Sequence, residues 1–250
     1  MARESPADYD AFAWFYHHHW GAQFRPWAVA MLDRVLLPHL PEHSRILDVC
    51  CGTGIAAHEL STRGHTTTGV DASVQMLRYA KRNAPEASFI CADARFFRFT
   101  PVFGGAISTF DGVNHFLSIT ELFDVFRNVH ESLLPGGMFV FDALLEEAYL
   151  QDWNTACSVV QDDHACFIRG GYDPATRLGR TELTLFRLNG TWQRSDSVFC
   201  ECFHPPLDII ETLQSAGFTQ LRCLTAARAL GIDDGLSKGR AVFSCTKAAD

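Results

Sequence analysis

The sequence contains no apolar run near the ~20 residues that a membrane-spanning helix requires. An apolar leader is missing as well: the opening MARESPADYDAF is charged and polar, and no signal-type segment follows it. Both absences lead us to expect a soluble cytoplasmic protein. Positive charge is in deficit, 21 Lys and Arg against 29 Asp and Glu, a formal charge of −8 without a basic run. Such a chain has no footprint for a phosphate backbone, so nucleic acid is not expected as a partner. The nine cysteines show neither Cys-x-x-Cys spacing nor the paired spacing of a zinc ribbon. Cys157, Cys166, Cys200 and Cys202 fall in one region without metal-ligand spacing, so we read reduced, mostly buried thiols and expect no metal. Internal repeats and low-complexity tracts are also absent.

What is present is a chain of 250 residues, 47% hydrophobic, enough for one large core or one core with an inserted lobe. Residues 46–142 alternate β-like and helical stretches. RILDVC reads as a strand, IAAHELSTRG as a helix closed by Gly64, TTTGVD as a second strand, and SVQMLRYAKRN as a helix capped by Ser73. ASFICAD and GGAISTF are the third and fourth strands. Ser118 and Glu121 form a capping box for a helix whose Leu122, Phe126, Val129 and Leu133 share one face. PGG then turns the chain into a fifth strand, MFVFDA. This alternation predicts an α/β fold, a doubly wound and mostly parallel sheet with right-handed crossovers.

Between 156 and 203 the helical period disappears. CSVVQ, HACFIRGGY, RTELTLFRL and SDSVFCECF are β-like, and Asn189-Gly190 is a hairpin signal. We expect a small antiparallel sheet inserted into the α/β domain. PPLDIIETLQSAGF restores a helix, and TQLRCLTA and RAVFSCTK complete a seven-stranded sheet as an antiparallel pair. The expected domains are therefore 1–155 with 204–250, of which 1–40 is a helical lid, and the insert 156–203. A homodimer is compatible with this plan.

The stretch RILDVCCGTGIA, residues 45–56, carries the chemistry. Ligands of doubly wound sheets sit at the carboxyl ends of the strands. Gly52 and Gly54 follow the first strand, where the chain must turn sharply and let a ligand touch backbone. The adjacent cysteines are then packing, and the glycines are the site. A Gly-x-Gly turn suits either a dinucleotide or S-adenosylmethionine. The third glycine of the dinucleotide pattern is replaced by Ala57, which is sometimes tolerated. Asp48 before the loop would oppose a pyrophosphate but suit a ligand bearing an ammonium and a sulfonium. Asp71 and Asp93 end the next two strands, placed for ribose hydroxyls and an adenine amino group, with Ala72 and Ala94 beside them. Each aspartate singly reads equally as a turn or helix cap; the set, with the glycine loop, favours S-adenosylmethionine.

ILDVCCGTG, GVDAS, CADAR and LLPGGMFVFD, in this order and spacing, resemble the motifs of class I S-adenosylmethionine-dependent methyltransferases over residues 45–142. The β-rich insert resembles the acceptor platform of small-molecule members, the glycine or sarcosine N-methyltransferases and the aminosugar N,N-dimethyltransferases. One departure is Gly104, where such enzymes often carry an aspartate. The resemblance implies a Rossmann-like fold, S-adenosylmethionine as cofactor and methyl transfer to a small acceptor through nitrogen or oxygen. A protein or RNA acceptor is the alternative, and a non-catalytic cofactor-binding protein a further one.

Methyl transfer from a sulfonium is an in-line displacement that needs an acceptor lone pair about 3 Å from the methyl. STFDGVNHFL, with Phe110, follows the fourth strand and faces that position; it is not the Asn/Asp-Pro-Pro-Tyr sequence used on nucleobase or glutamine amide nitrogens. His115 is the sharpest base candidate, since aminosugar dimethyltransferases have a histidine here; its alternative is a loop histidine satisfied by backbone. Asn114 reads as either an acceptor-orienting group or a cap. The aromatic N-terminal segment reads both as packing and as a lid, with Tyr9 or Tyr16 touching the acceptor and Arg25 near the methionine carboxylate. His17, His18 and His19 diverge on a helix and share no metal. Met76 covers the adenine face or fills the core.

Overall fold

A computed structural model describes residues 6–235 and 237–249. The chain opens with helix α1 (Pro6–Phe15), a π turn at Tyr16–Trp20, and α2 (Gly21–Met31), followed by a second π turn at Leu32–Leu36. β1 (Arg45–Val49) leads through the glycine loop to α3 (Ile55–Thr62), β2 (Thr66–Asp71), α4 (Val74–Asn83), β3 (Ser88–Cys91) and β4 (Phe103–Ser108). α5 (Ile119–Ser132), β5 (Leu133–Leu144) and the short α6 (Glu146–Ala148) come next. The strands β6 (Ala156–Val160), β7 (His164–Asp173), β8 (Leu178–Asn189) and β9 (Thr191–Cys202) precede α7 (Pro206–Ser215), β10 (Phe218–Thr225), α8 (Ala226–Leu230) and β11 (Arg240–Lys247).

The seven-stranded sheet has the order β10-β11-β5-β4-β1-β2-β3. β1 pairs in parallel with both β2 and β4, while β11 runs antiparallel between β5 and β10. The strand order reverses between β1 and β4, which opens the crevice where ligands of such sheets sit. β1 is apolar on both faces and buried from Ile46 to Val49 because helices cover both sides. Leu122, Phe126 and Val129 of α5 pack with Ile209 and Leu213 of α7 on one face. Trp27 and Met31 of α2, Leu60 of α3 and Leu230 of α8 fill the other. The Pro135-Gly136-Gly137 segment does not end before β5, as the turn chemistry suggested. It lies within β5 as a bulge, Phe103 pairing with Leu133 and Gly105 with Met138, and Gly136 takes a φ of +78°.

The second sheet is a meander, β6-β7-β8-β9, antiparallel throughout. Its β8–β9 hairpin closes at Asn189 and Thr191 around Gly190, whose φ of +73° supplies the left-handed turn position. Cys166, Leu183, Leu185 and Phe199 on its inner face pack against Phe12 and Phe15 of α1 and Met76 of α4. Burying each of these large side chains stabilises the contact by roughly 1.5–3 kcal/mol. α1 is thus clamped between the second sheet and the nucleotide-side helix of the first. Among the described residues, no helix is long and apolar enough to cross a membrane.

Candidate cofactor and acceptor site

A cleft of about 250 Å³ opens at the carboxyl ends of β1, β2 and β4. The loop after β1 forms its floor. Cys50 and Gly52 both have positive φ, +57° and +51°, and a Cβ on Gly52 would meet only open space. Gly54, with φ +78°, faces away from the cleft. A Cβ there would come within 2.9 Å of Ala80 Cα, so this glycine lets the loop pack directly on α4. Cys51 is buried against Gly69, and burial followed by the charges of the nearby aspartates pushes both thiols up. The vicinal cysteines are neutral packing groups.

Asp71 accepts from Gly52 N at 2.9 Å through Oδ2 and from Ser73 N at 2.8 Å through Oδ1. Burial pushes its carboxyl up, opposed by those two amides. It lines the cleft beside Ala72, and each oxygen keeps a second lone pair for a hydroxyl. Ser73 caps α4 through Met76 N at 3.1 Å, and its hydroxyl donates to Asp10 of α1 at 2.6 Å. Asp93 lies two residues beyond the end of β3, held by Arg95 Nε at 3.0 Å. Burial raises its carboxyl, but Arg95 outweighs that and holds it below the usual range. Arg95 also reaches Glu121, whose carboxylate accepts from Leu117 N at 2.9 Å while its amide donates to Ser118 Oγ. The capping box is therefore displaced by one residue, and its glutamate becomes cleft wall.

Asp48 lies beneath the glycine loop, 1% exposed, and neither carboxylate oxygen has a hydrogen-bond partner among the described residues. Burial first, then the charge of Asp71, pushes its carboxyl up to about 8. A buried carboxylate left unpaired is costly unless a cation compensates it. S-adenosylmethionine carries two such charges, and it fits a floor of open backbone flanked by Asp71 and Asp93, with Asp48 buried beneath it and outside the lining.

The other end of the cleft is assembled from segments far apart in the chain. Phe110 and Asp111 both adopt left-handed backbone, φ +61° and +53°, conformations costing of order 1–3 kcal/mol each outside glycine. Asp142 of β5 holds them, accepting from Phe110 N at 2.7 Å and Asp111 N at 3.1 Å. Arg240 of β11 bridges the two carboxyls, donating to Asp111 Oδ1 at 2.7 Å and to Asp142. A 3₁₀ turn, Gly112–His115, follows. Buried Asn114 fastens it: its Nδ2 donates to Cys202 O at 3.0 Å and Leu144 O at 3.2 Å, and its Oδ1 accepts from Leu144 N. Neither of the roles expected for Asn114 matches this clamp. His115 then faces the cleft, its Nε2 2.7 Å from Tyr9 Oη and 3.9 Å from Glu201 Oε1. Tyr149 donates to Glu201 Oε2 at 3.2 Å.

Tyr9, Tyr16, Gly52, Asp71, Ala72, Met76, Asp93, Ala94, Phe110 and His115 thus line one cleft. Burial, Asp111 and Asp71 push the Tyr16 hydroxyl up, so it serves as a neutral donor. Arg25 is placed elsewhere. Its Nε donates to Glu59 at 2.6 Å beside an open depression shared with His17, His58 and Arg82. Tyr9 and Tyr16, seven residues apart, share the cleft face, while Arg25 falls outside it on Glu59. His17 stacks on Tyr79, His18 bonds Trp14 O, and His19 Nε2 meets His164 Nε2 at 2.8 Å. The sequence reading missed Asp111, Glu201, Asp142, Arg240 and Arg95. Only Asp111, one residue past the fourth strand, carried a local signal.

Residues 46–137 match the methyltransferase domain family. A dTDP-3-amino-3,4,6-trideoxy-α-D-glucopyranose N,N-dimethyltransferase of Streptomyces venezuelae is 32% identical over 123 residues, 49% of this chain and 52% of the relative. In that alignment, the chain spans about half the relative's length. Among solved structures, an S-adenosylmethionine-dependent methyltransferase from Clostridium acetobutylicum superposes with a TM-score of 0.79 at 20% identity, covering 96% of this chain and 99% of the other. CalS10, an amino pentose methyltransferase from Micromonospora echinaspora with S-adenosylmethionine bound, gives 0.73 at 20% identity over 94% and 96%. The domain match makes residues 46–137 a methyltransferase domain, and the fold is that of the class I S-adenosylmethionine-dependent methyltransferases. Its cofactor is S-adenosylmethionine.

Proposed function

We propose that this methyltransferase acts on a small molecule through an amine nitrogen. The observation that carries the reading is the acceptor end of the cleft, where Tyr9 and His115 meet the carboxylates Asp111 and Glu201. Negative charge set just behind the lining Tyr9 and His115 favours a cationic acceptor, and the imidazole offers a group to take its proton. The Streptomyces relative, by name an aminosugar N,N-dimethyltransferase, supports it. A nitrogen acceptor must be unprotonated to react.

In this reading Asp71 takes the ribose hydroxyls, Asp93 and Ala94 flank the adenine, and Met76 and Phe110 cover it. Asp48 and the Gly52 backbone face the methionine end, and Gly54 fixes the loop. Bound S-adenosylmethionine supplies an electrophilic methyl group and leaves as the neutral thioether. The protein's side chains orient the acceptor, exclude water and hold its proton, with Tyr16 donating and Tyr9 and His115 receiving. The second sheet, residues 156–203, is the acceptor platform, and 1–40 the lid. The buried thiols Cys51, Cys166 and Cys245 support a reducing compartment such as the cytoplasm.

Incubation with methyl-labelled S-adenosylmethionine and a panel of small amines, aminosugars and alcohols tests this. Label transfer to amines is expected; transfer only to a protein or RNA fraction would refute it. His115→Asn should lower turnover by a factor of order 10²–10⁴ with cofactor affinity nearly intact. A fully active variant would remove the base role.

A further inference from the structure

We propose that Glu201, carried into the site by the last strand of the second sheet, is the anionic partner of His115 and shares the proton that a cationic acceptor gives up. This rests on the amine reading above. Glu201 lies one residue before the end of β9, with its side chain 9% exposed, and its Oε1 faces His115 Nε2 at 3.9 Å. The separation is built in. Asn114, the residue before His115, donates to the carbonyl of Cys202, the residue after Glu201. The 3₁₀ turn and the strand are thus fixed together at the step that sets the distance between the two side chains.

A carboxylate is an expensive group to place there, since an apolar residue would pack the end of β9 without desolvating a charge. The groups facing it are Asp111 and His115 from the loop after β4, Tyr149 from the π turn after α6, and Arg240 from β11. Tyr9 of α1 joins through His115. Burial first, then Asp111, pushes the Glu201 carboxyl up to about 8, while His115, Tyr149 and Arg240 pull it back. Arg240 is engaged with Asp111 and Asp142, and Tyr149 supplies one neutral hydrogen bond. That leaves the imidazole as the group that can change charge in step with Glu201. A proton leaving the acceptor nitrogen arrives at His115 Nε2. The nitrogen keeps the electron pair that bonds the methyl carbon, and the imidazolium formed faces Glu201. The second sheet then contributes a reacting-proton partner as well as a wall.

The test uses the full-length protein without cofactor or acceptor: ring-nitrogen NMR of labelled histidines across pH. His115 is expected to titrate in two steps, as a coupled pair does. In Glu201→Gln it should titrate in one step, about one pH unit lower, with His164 unmoved. Glu201→Asp should restore part of the shift. Should Glu201→Gln fail to fold, the carboxyl carbon of Glu201 is followed in His115→Gln, where its midpoint should rise. An unchanged His115 titration in folded Glu201→Gln, or an unchanged Glu201 midpoint in His115→Gln, overturns the proposal. So does a shift of His115 on adding micromolar Zn²⁺ or Mg²⁺ that Glu201→Gln abolishes, since the cluster would then be a cation site. None of these readouts requires methyl transfer, so their failure leaves the amine reading standing, and failure of the labelling screen leaves the pair standing.

Discussion

The two ends of the cleft are built by opposite means. In the proposed reading the donor end is backbone and short side chains from consecutive strand ends, with Asp48, Gly52, Asp71 and Asp93 all within about fifty residues of each other. The acceptor end joins α1, the loop after β4, β5, β9 and β11 through a buried charge network and two left-handed residues. Parts made locally fold into place with their strands. Parts assembled from distant segments hold one another, so damage to one member is felt by the fold as well as by the chemistry.

The sharpest break of that contrast is Arg240→Met. It leaves Asp111 and Asp142 facing one another with no cation, and Asp142 is fully buried. A loss of about 3–5 kcal/mol in urea unfolding is expected; near-native stability would mean that the acceptor wall does not depend on its ion pairs. Next, Asp71→Ala, which orphans the Gly52 and Ser73 amides, should cost less stability than Arg240→Met and weaken cofactor binding by calorimetry. Each charge-assisted hydroxyl bond lost is worth roughly 1.5–3 kcal/mol. Equal affinity in the folded variant would remove Asp71 from the ribose.

Taken per pH unit, the smallest effect comes from Asp48. Its carboxyl sits at about 8 in the fold, against about 3.9 in an unfolded chain. Between these values the folded protein holds a proton that the unfolded chain has released, so cofactor-free stability falls as pH rises from about 4 to 8. Asp48→Asn should flatten that slope, by at most about 1.4 kcal/mol per pH unit, while weakening S-adenosylmethionine binding. A slope unchanged in the variant, read from thermal melts at several pH values, would assign the dependence elsewhere.

The same division explains what was legible in the sequence. Strand-end aspartates and a Gly-Thr-Gly turn are local signals, and the seven strands, the meander and the Asn189-Gly190 hairpin all stand close to where periodicity put them. Glu201 looked like one more alternating residue in SDSVFCECF, and Arg240 like the polar start of a strand. Their roles come from register: β11 sets Arg240 opposite Leu144 and Val242 opposite Asp142. No window of sequence contains that pairing. Arg25 diverged for another reason, an ion pair with Glu59 of α3 outside the cleft that no local pattern announces.

The position of β11 between β5 and β10 bears on the order in which the molecule comes into being. A chain emerging from the ribosome has every donor-end aspartate and glycine in hand by residue 95, with β1, β2 and β3 free to pair. The meander closes through neighbours in sequence, a low-contact-order event. Arg240 arrives last, and it must slot between two strands already made before Asp111 and Asp142 find their cation. A nascent chain halted before residue 240 therefore has all the strand-end aspartates but lacks the cation that Asp111 and Asp142 share.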